Sequence, residues 1–297
     1  MASSTSSVLS IGLVMVLLTT FSLPAALAQL SVSYYASTCP SVFDTVRSAT
    51  RSVINRDGRM GASILCLFFH DCFVSGCDGG ILLSGGERNA PGNIAMVRGL
   101  IEHAISSRDS IVQLGGPSYA VPLGRRDTRT PNIAGARSDL PAFFHDLPRI
   151  INIFQGKGFS EREMVALSGA HSIGQARCSS FRDRIYSNTS NIDPAFAVSR
   201  QATCPRSGGD GNLAPLDPQS PGRFGNNYFQ ALMNRRGLLN SDQVLFNGGS
   251  TDSIVRTYAN AASAFSTDFM NAMVKMGNLS PLTGTQGEIR TTCQRVN

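Results

Sequence analysis

Apolar side chains along this chain recur at helical spacings far more often than at strand spacings. One set follows Pro40 and comprises Val42, Val46, Ala49 and Val53. Another ends at Gly277 and comprises Phe265, Phe269, Met273 and Met276. Because residues three and four apart share one face of a helix, both sets predict amphipathic helices. The pattern therefore predicts an all-α fold.

Helix ends and turns divide the rest of the chain. Ser160 and Glu163 form a capping box before an apolar run at 164–167, and Gly237 ends a helix predicted over 226–236. Turns rich in Gly, Pro and Asn are predicted at 84–93, 115–118, 207–215 and 247–250. No internal repeat and no long linker is present, so residues 29–297 are predicted to form one domain.

The first 28 residues carry no charged side chain. They contain an apolar core at 11–18 and small residues at Ala26 and Ala28, which is typical of a secretory signal peptide cut before Gln29. The alternative is an uncleaved membrane anchor, but Pro24 and the polar residues before it make the apolar run short for a bilayer. We expect a secreted protein with no membrane span after cleavage.

The formal net charge is +6, and Lys157 and Lys275 are the only lysines, so the basic charge is nearly all arginine. A basic secreted protein attracts polyanions. The arginines are scattered and no nucleic-acid-binding motif is present, so nucleic acid is not expected as a partner.

Seven cysteines are present, and in an oxidising compartment most of them should pair. The odd number leaves at least one without a partner in the chain. No Cys-x-x-Cys pair occurs, which argues against a structural zinc site.

An apolar run at 64–73 ends in His70 and Asp71, and a tight acidic turn follows it. The histidine is either a packed core group or a catalytic one. Carboxylates of Asp71 and Asp78, with the carbonyls between them, are the mixed oxygen ligands that calcium takes. The alternative for this segment is a solvated acidic turn.

A second histidine, His171, lies among small residues at 168–174, just after the capped helix. Small neighbours permit the close approach of a flat cofactor. The alternative is a closely packed helix end, and the residues alone do not decide between the two.

Four runs, in this order, resemble class III secretory plant peroxidases and span nearly all of the chain after the signal peptide. The runs are Phe69–Val74 with Gly76–Asp78, Val121–Asp127, Leu167–Gly174, and Met276–Asn278 through Gly284–Gly287. The resemblance implies a haem peroxidase fold, in which two helical halves enclose haem b. It also implies that hydrogen peroxide oxidises small phenolic donors. The expected location is extracellular, in the cell wall or the vacuole, and in the wall acidic polysaccharide is an expected partner.

The resemblance also implies residue roles. His70 matches the distal acid–base histidine, and Asn93 the asparagine that orients it. His171 matches the axial haem ligand, and Asp242 the carboxylate that accepts its N–H. Pro141 matches the proline at the haem edge where donors dock.

Two calcium sites and two disulfides are implied in the same way. Distal calcium ligands are matched by Asp71, Val74, Gly76 and Asp78, with Glu87 linking Asn93 toward that ion. Proximal ligands are matched by Ser172, Asp217 and Ser220. The implied disulfides are Cys72–Cys77 and Cys178–Cys204.

The chain departs from the family at several positions. Cys66 replaces the distal arginine, Gly80 replaces a calcium-binding serine, and Gly225 replaces a calcium-binding aspartate.

A stretch between 98–100 and 107–110 is missing, and with it the expected partners of Cys39 and Cys293. We therefore expect these two cysteines to pair with each other. We also expect a distal calcium site to persist, a weak proximal one, and impaired peroxidase activity. The alternative is a non-enzymatic, secreted haem- or cell-wall-binding homologue.

Overall fold

The computed structural model describes residues 30–83 and 103–297, and it confirms the predicted helical fold. The described residues contain twelve α-helices: α1 Val42–Arg56, α2 Arg59–Ser75, α3 His103–Gln113, α4 Ile133–Ser138, α5 Leu147–Gly156, α6 Glu161–Ser168, α7 Cys178–Tyr186, α8 Pro194–Gln201, α9 Asn227–Met233, α10 Asn240–Gln243, α11 Asp252–Asn260 and α12 Ala262–Gly277. The signal peptide, the turn at 84–93 and the start of the expected missing stretch lie outside the described residues.

The one sheet among the described residues is a two-stranded antiparallel ladder. It joins β1 Gln175–Arg177 to β2 Leu213–Pro215, with Ala176 opposite Ala214. The ladder continues by one hydrogen bond from the Leu216 N–H to the Gly174 carbonyl (3.1 Å). It therefore ties the segment after His171 to the segment that carries Asp217.

Helix α1 begins where the pattern predicts, and Val42 and Val46 of the predicted stripe pack against the core, but Ala49 does not. Ala49 is exposed, whereas its neighbour Thr50 and Ile54 are buried. Residues 46, 50 and 54 are also four apart, so they form a second helical stripe. This stripe lies on the side of α1 that packs against α3. It shares Val46 with the predicted stripe, but it continues through Thr50 and Ile54, each one position after the predicted Ala49 and Val53.

Helix α12 joins the two parts of the core that carry His70 and His171. It packs against both α2 and α6, and the four predicted apolar side chains along it are buried. They are Phe265, Phe269, Met273 and Met276. The two segments with the candidate histidines are therefore held on one common support.

Local chemistry sets the ends of two other helices. The predicted capping box opens α6: the Glu163 N–H donates to Ser160 Oγ (3.2 Å), and the Ser160 N–H donates to Glu163 Oε2 (2.8 Å). Helix α9 ends at Met233, three residues before the predicted end. Arg235 has a left-handed φ of 54°, which an α-helix cannot accommodate.

Both implied disulfides are present, Cys72–Cys77 and Cys178–Cys204. The expected Cys39–Cys293 bridge is not formed, and both residues are free thiols. Cys39 is exposed beside the start of α1, whereas Cys293 packs against a small apolar cluster of Leu67, Ile81 and Leu82. The two thiols thus lie in different surroundings. None of the described helices is long and apolar enough to cross a membrane.

Candidate active site

Helix α2 places Cys66 and His70 on the same face, one turn apart. The Cys66 Sγ atom lies 3.6 Å from His70 Nε2, within hydrogen-bonding distance for sulfur. The His70 ring also meets the edge of Phe69, with 5.8 Å between ring centroids. Both Cys66 and His70 are half-buried. The imidazole is therefore positioned by the helix and by a neighbouring ring, with its outer nitrogen directed at the thiol.

The surroundings of Cys66 lower the pKa of its thiol, so the thiolate forms more readily than in an ordinary cysteine. Burial alone would raise the pKa of the thiol, but the charge of His70 and its hydrogen bond outweigh burial, and His171 adds a smaller effect of the same sign. The net result is a lowered pKa for Cys66.

His171 lies in a short 3₁₀ segment, Gly169–Ser172, that continues directly from α6. Its Nδ1 atom is 2.6 Å from Asp242 Oδ1, across 71 residues of sequence. The helix carrying Asp242, α10, is a single turn that follows an extended Leu239. The predicted pair of His171 and Asp242 is therefore brought together by the fold.

The Asp242 carboxylate is fixed by two further donors. The Tyr228 hydroxyl donates to Oδ1 (3.0 Å), and the Leu239 N–H donates to Oδ2 (3.2 Å). The carboxylate is only 2% exposed, whereas the His171 side chain is 40% exposed. Asp242 thus acts as a buried anchor that leaves the far side of the imidazole accessible.

The buried charge of Asp242 affects the groups around it. Burial alone would lower the pKa of His171, but the charge and hydrogen bond of Asp242 outweigh it and raise that pKa. Burial, and then the same carboxylate, raise the pKa of Tyr228. Burial lowers the pKa of Arg184 to about 10, with Asp242 opposing the change. Tyr228 and Arg184 were not predicted from the sequence, because neither belongs to a recognisable short motif.

The small residues beside His171 have different uses. A Cβ atom at Gly169 would lie 2.4 Å from the Phe265 ring, so this glycine is required by core packing and not by a cofactor. Gly174 has a positive φ of 99°, which a glycine adopts easily at the turn into β1. At Gly169 the structure therefore shows the closely packed helix end, one of the two alternatives that the sequence left open.

The described residues fit a haem on the accessible side of His171. Nδ1 is occupied by Asp242, and Nε2 makes no hydrogen bond within the described residues, so it is available as an axial ligand. A carboxylate behind a ligating histidine is the usual second partner in metal sites.

The acidic turn after α2 brings some of the predicted calcium ligands together. Asp71 is buried; its Oδ2 accepts from the Gly79 N–H (3.2 Å), and its Oδ1 has no partner within the described residues. Asp78 Oδ1 accepts from the Gly80 N–H (2.9 Å), and the Gly76 carbonyl accepts from the Asp78 N–H (2.7 Å). The unpaired oxygen of Asp71 fits a cation.

Two side chains that the sequence did not indicate also reach this turn. The Lys157 ammonium donates to the Val74 carbonyl (2.7 Å) and to Asp139 Oδ2 (2.7 Å). His103 Nδ1 lies 3.7 Å from Asp71 Oδ2. A calcium ion bound to the Val74 carbonyl would therefore share that oxygen with a fixed positive charge.

The proximal set is only partly assembled. Ser220 Oγ donates to Asp217 Oδ2 (2.6 Å), and the Gln219 N–H donates to Oδ1 (2.9 Å). Ser172 Oγ is buried and has no partner within the described residues. No set of three or more His, Cys, Asp or Glu side chains in those residues is arranged to hold a metal. Any calcium here would have the single carboxylate of Asp217 and would otherwise depend on hydroxyl and carbonyl oxygens.

The remaining predicted residues are Pro141, Asn93 and Glu87. Pro141 is half-buried in a loop that is tied to α10, since the Ser241 N–H donates to the Phe143 carbonyl (3.0 Å). Asn93 and Glu87 lie outside the described residues, so their roles stay predictions.

Comparison with known proteins decides the family. The chain matches the peroxidase family profile over residues 46–104 and 101–261. It is 51% identical to "Peroxidase 22.3" of Oryza sativa subsp. japonica, with all of both chains covered. It is 51% identical to "Peroxidase 4" of Vitis vinifera over 91% of this chain and 92% of that protein. It is 49% identical to the "Lignin-forming anionic peroxidase" of Nicotiana sylvestris over 91% of this chain and 92% of that protein.

This chain belongs to the class III plant peroxidases. Its fold and its assignment as a peroxidase, and hence an oxidoreductase, are those that the four sequence runs predicted. Membership of this family also implies haem as the cofactor, and hydrogen peroxide with small-molecule donors as substrates. The family match is in two pieces that meet at residues 101–104. That position lies within the region of the expected missing stretch, which stays a prediction.

Proposed function

We propose that this peroxidase is secreted, that it oxidises small phenolic donors with hydrogen peroxide, and that it reacts with peroxide slowly. The observation that carries the proposal is the Asp242-anchored imidazole of His171, supported by α12, which also packs against the helix α2 that presents His70 and Cys66. The pair of His171 and Asp242 suits a haem ligand. The pair of His70 and Cys66 supplies a proton acceptor but no fixed positive charge.

On the proximal side, His171 Nε2 would hold the haem iron. Asp242 keeps the proton on Nδ1 and makes the imidazole a stronger donor to a metal. Tyr228 and the Leu239 N–H hold the carboxylate in place, so its position does not depend on the cofactor. When bound, haem supplies an iron that accepts two oxidising equivalents from peroxide and releases them one at a time.

On the distal side, His70 is the general base and acid. Its Nε2 takes a proton from the near peroxide oxygen and returns it to the far one, so that water departs. Negative charge develops on the departing oxygen, and a fixed positive donor would stabilise it. Cys66 occupies the family's arginine position but offers only a weak S–H donor, or a repelling thiolate. This is the basis for slow turnover.

The proposal is tested with purified, haem-loaded protein. A Soret band should be present, and oxidation of a phenolic dye should depend on both peroxide and protein. The rate should be low but clearly above that of free haem. A protein that shows the Soret band but no oxidation above free haem would contradict the proposed activity.

We also propose one calcium ion held firmly at the distal turn and a weak proximal one. Asp71 and Asp78 keep two carboxylates at the distal turn, and charge count strongly affects calcium affinity. The proximal set has only Asp217, because Gly225 lacks a carboxylate. Metal analysis after dialysis should find fewer than two calcium ions per chain.

Gly225→Asp should raise the calcium content toward two ions per chain. There is room for the side chain, because a Cβ atom at Gly225 would meet nothing within 4 Å. Gly222→Asp is the matched control, since it adds the same charge at an equally open position three residues away. Two firmly held ions in the unmodified protein, or equal gains in both variants, would contradict the proposal.

The proposed location outside the cell rests on the signal-like segment at 1–28 and on two disulfides among the described residues. Acidic wall polysaccharide remains the proposed polyanion, supported by the net charge of +6.

A further inference from the structure

The pair formed by Cys66 and His70 has a chemistry of its own that does not require haem. Cys66 Sγ and His70 Nε2 are 3.6 Å apart, and the thiol is free. A cysteine beside an imidazole is the usual arrangement of an activated thiol. Both side chains are half-buried, so a molecule as small as hydrogen peroxide has access to them.

We propose that Cys66 and His70 form a second peroxide-reducing site, in which the Cys66 sulfur itself is oxidised to a sulfenic acid and is then restored by a small external thiol. The site lies on α2 and uses the same oxidant as the peroxidase. It shares His70 with the proposed haem reaction but does not require haem.

The reaction balances without a further reactant in its first step. The sulfur attacks one peroxide oxygen, an S–O bond forms, and the O–O bond breaks. The thiol proton passes through His70 Nε2 to the departing hydroxide, which leaves as water. Sulfur is oxidised by two electrons and peroxide is reduced by two. Two equivalents of a small thiol then return Cys66 to the thiol, with one water and one external disulfide as products.

The surroundings of the sulfur support this step. The charge and hydrogen bond of His70 lower the pKa of Cys66 despite its burial, so the reactive thiolate forms more readily than in an ordinary cysteine. The other cysteines on α2 and in the following turn cannot act as a resolving thiol, because Cys72 and Cys77 are bonded to each other. The proposal therefore assigns reduction of the sulfenic acid to a small external thiol.

The chain provides its own controls for an experiment. Cys39 and Cys293 are also free, one exposed and one half-buried, and neither contacts an imidazole within the described residues. Haem-loaded, full-length protein is exposed to one equivalent of hydrogen peroxide in the presence of dimedone, which traps sulfenic acids. Peptide mass spectrometry then gives the labelling rate of each of the three cysteines.

Cys66 should be labelled at least about tenfold faster than Cys39 and Cys293. H70Q keeps a polar side chain but removes the base, and it should lower the Cys66 rate by about tenfold while leaving the other two unchanged. Equal rates at all three cysteines in the unmodified protein would overturn the proposal, and this comparison does not depend on the folding of a variant.

A parallel measurement separates this reaction from oxidation by haem. An excess of a phenolic donor removes oxidising equivalents that peroxide delivers to haem, but it does not protect a thiol that attacks peroxide directly. Cys66 labelling that persists in excess donor supports the proposal, and labelling that the donor suppresses overturns it. Failure of the dye assay would contradict the peroxidase proposal alone, so the two proposals fail separately.

Discussion

Replacing Cys66 by Arg should raise the rate at which haem-loaded protein reacts with hydrogen peroxide by about 10²–10³-fold. Position 66 lies one helical turn before His70, on the same face of α2, so a guanidinium there would point into the distal pocket with the imidazole. It would stabilise the negative charge on the departing peroxide oxygen, which the thiol cannot do. A gain of this size corresponds to about 3–4 kcal/mol of transition-state stabilisation.

The measurement is stopped-flow absorbance of the Soret band after mixing with peroxide. Cys66→Ser is the matched control: it removes the thiol without adding a positive charge, and its rate should stay within a few-fold of the unmodified protein. Circular dichroism should first confirm that both variants fold and hold haem. If Cys66→Arg reacts no faster than Cys66→Ser, then the expected missing stretch or the pocket geometry limits the reaction, and the missing arginine does not.

Replacing His171 by Ala should abolish the Soret absorbance of the purified protein. Its imidazole is the group whose position best suits an axial ligand, since Nδ1 is bound to Asp242 and Nε2 is without a hydrogen bond within the described residues. Asp242→Asn keeps the shape of the anchor but removes its charge. Haem affinity should then fall by about 10–100-fold, the usual cost of losing such a supporting group.

His145→Ala is the matched control for both variants. His145 is a half-buried histidine whose Nδ1 accepts the Ala142 N–H (3.1 Å), in a loop and not in the candidate pocket. Its replacement should leave the Soret band unchanged. A wild-type Soret spectrum in His171→Ala would show that another group holds the haem.

Much of the site was predictable because its parts follow one another in short runs. The apolar run ending at His70 predicted a helix, and the Ser160–Glu163 box predicted the start of α6. Both features depend on residues within a few positions of each other, where local hydrogen bonds and helical periodicity dominate. The two disulfides were predicted only through the family resemblance, and both are present.

The features that were missed depend on contacts across long stretches of chain. Lys157 reaches the Val74 carbonyl over 83 residues, and no local pattern marks it. The pairing of Cys39 with Cys293 was inferred from missing partners alone, although a disulfide also needs the two Cα atoms to come within about 7 Å. The sequence left open whether Gly169 faces a cofactor or a packed helix end, because the neighbour that decides it, Phe265, lies 96 positions later.

Helix α10 holds more than the anchor of His171. The Asn240 amide on the same turn donates to the His145 carbonyl (3.0 Å), and the Ser241 N–H donates to the Phe143 carbonyl. The loop at 141–146, where Pro141 is expected to receive donors, is therefore fastened to the same four-residue helix as Asp242.

A molecule that docks on that loop and shifts α10 would also shift the carboxylate that tunes His171. Thermodynamic linkage makes such an effect reciprocal: the factor by which a bound donor would change haem affinity is the factor by which bound haem would change donor affinity. The reduction potential of bound haem iron and the preference for a donor would then change together. A substitution at Asn240 would then alter both at once, through the carbonyls of Phe144 and His145 that its amide binds.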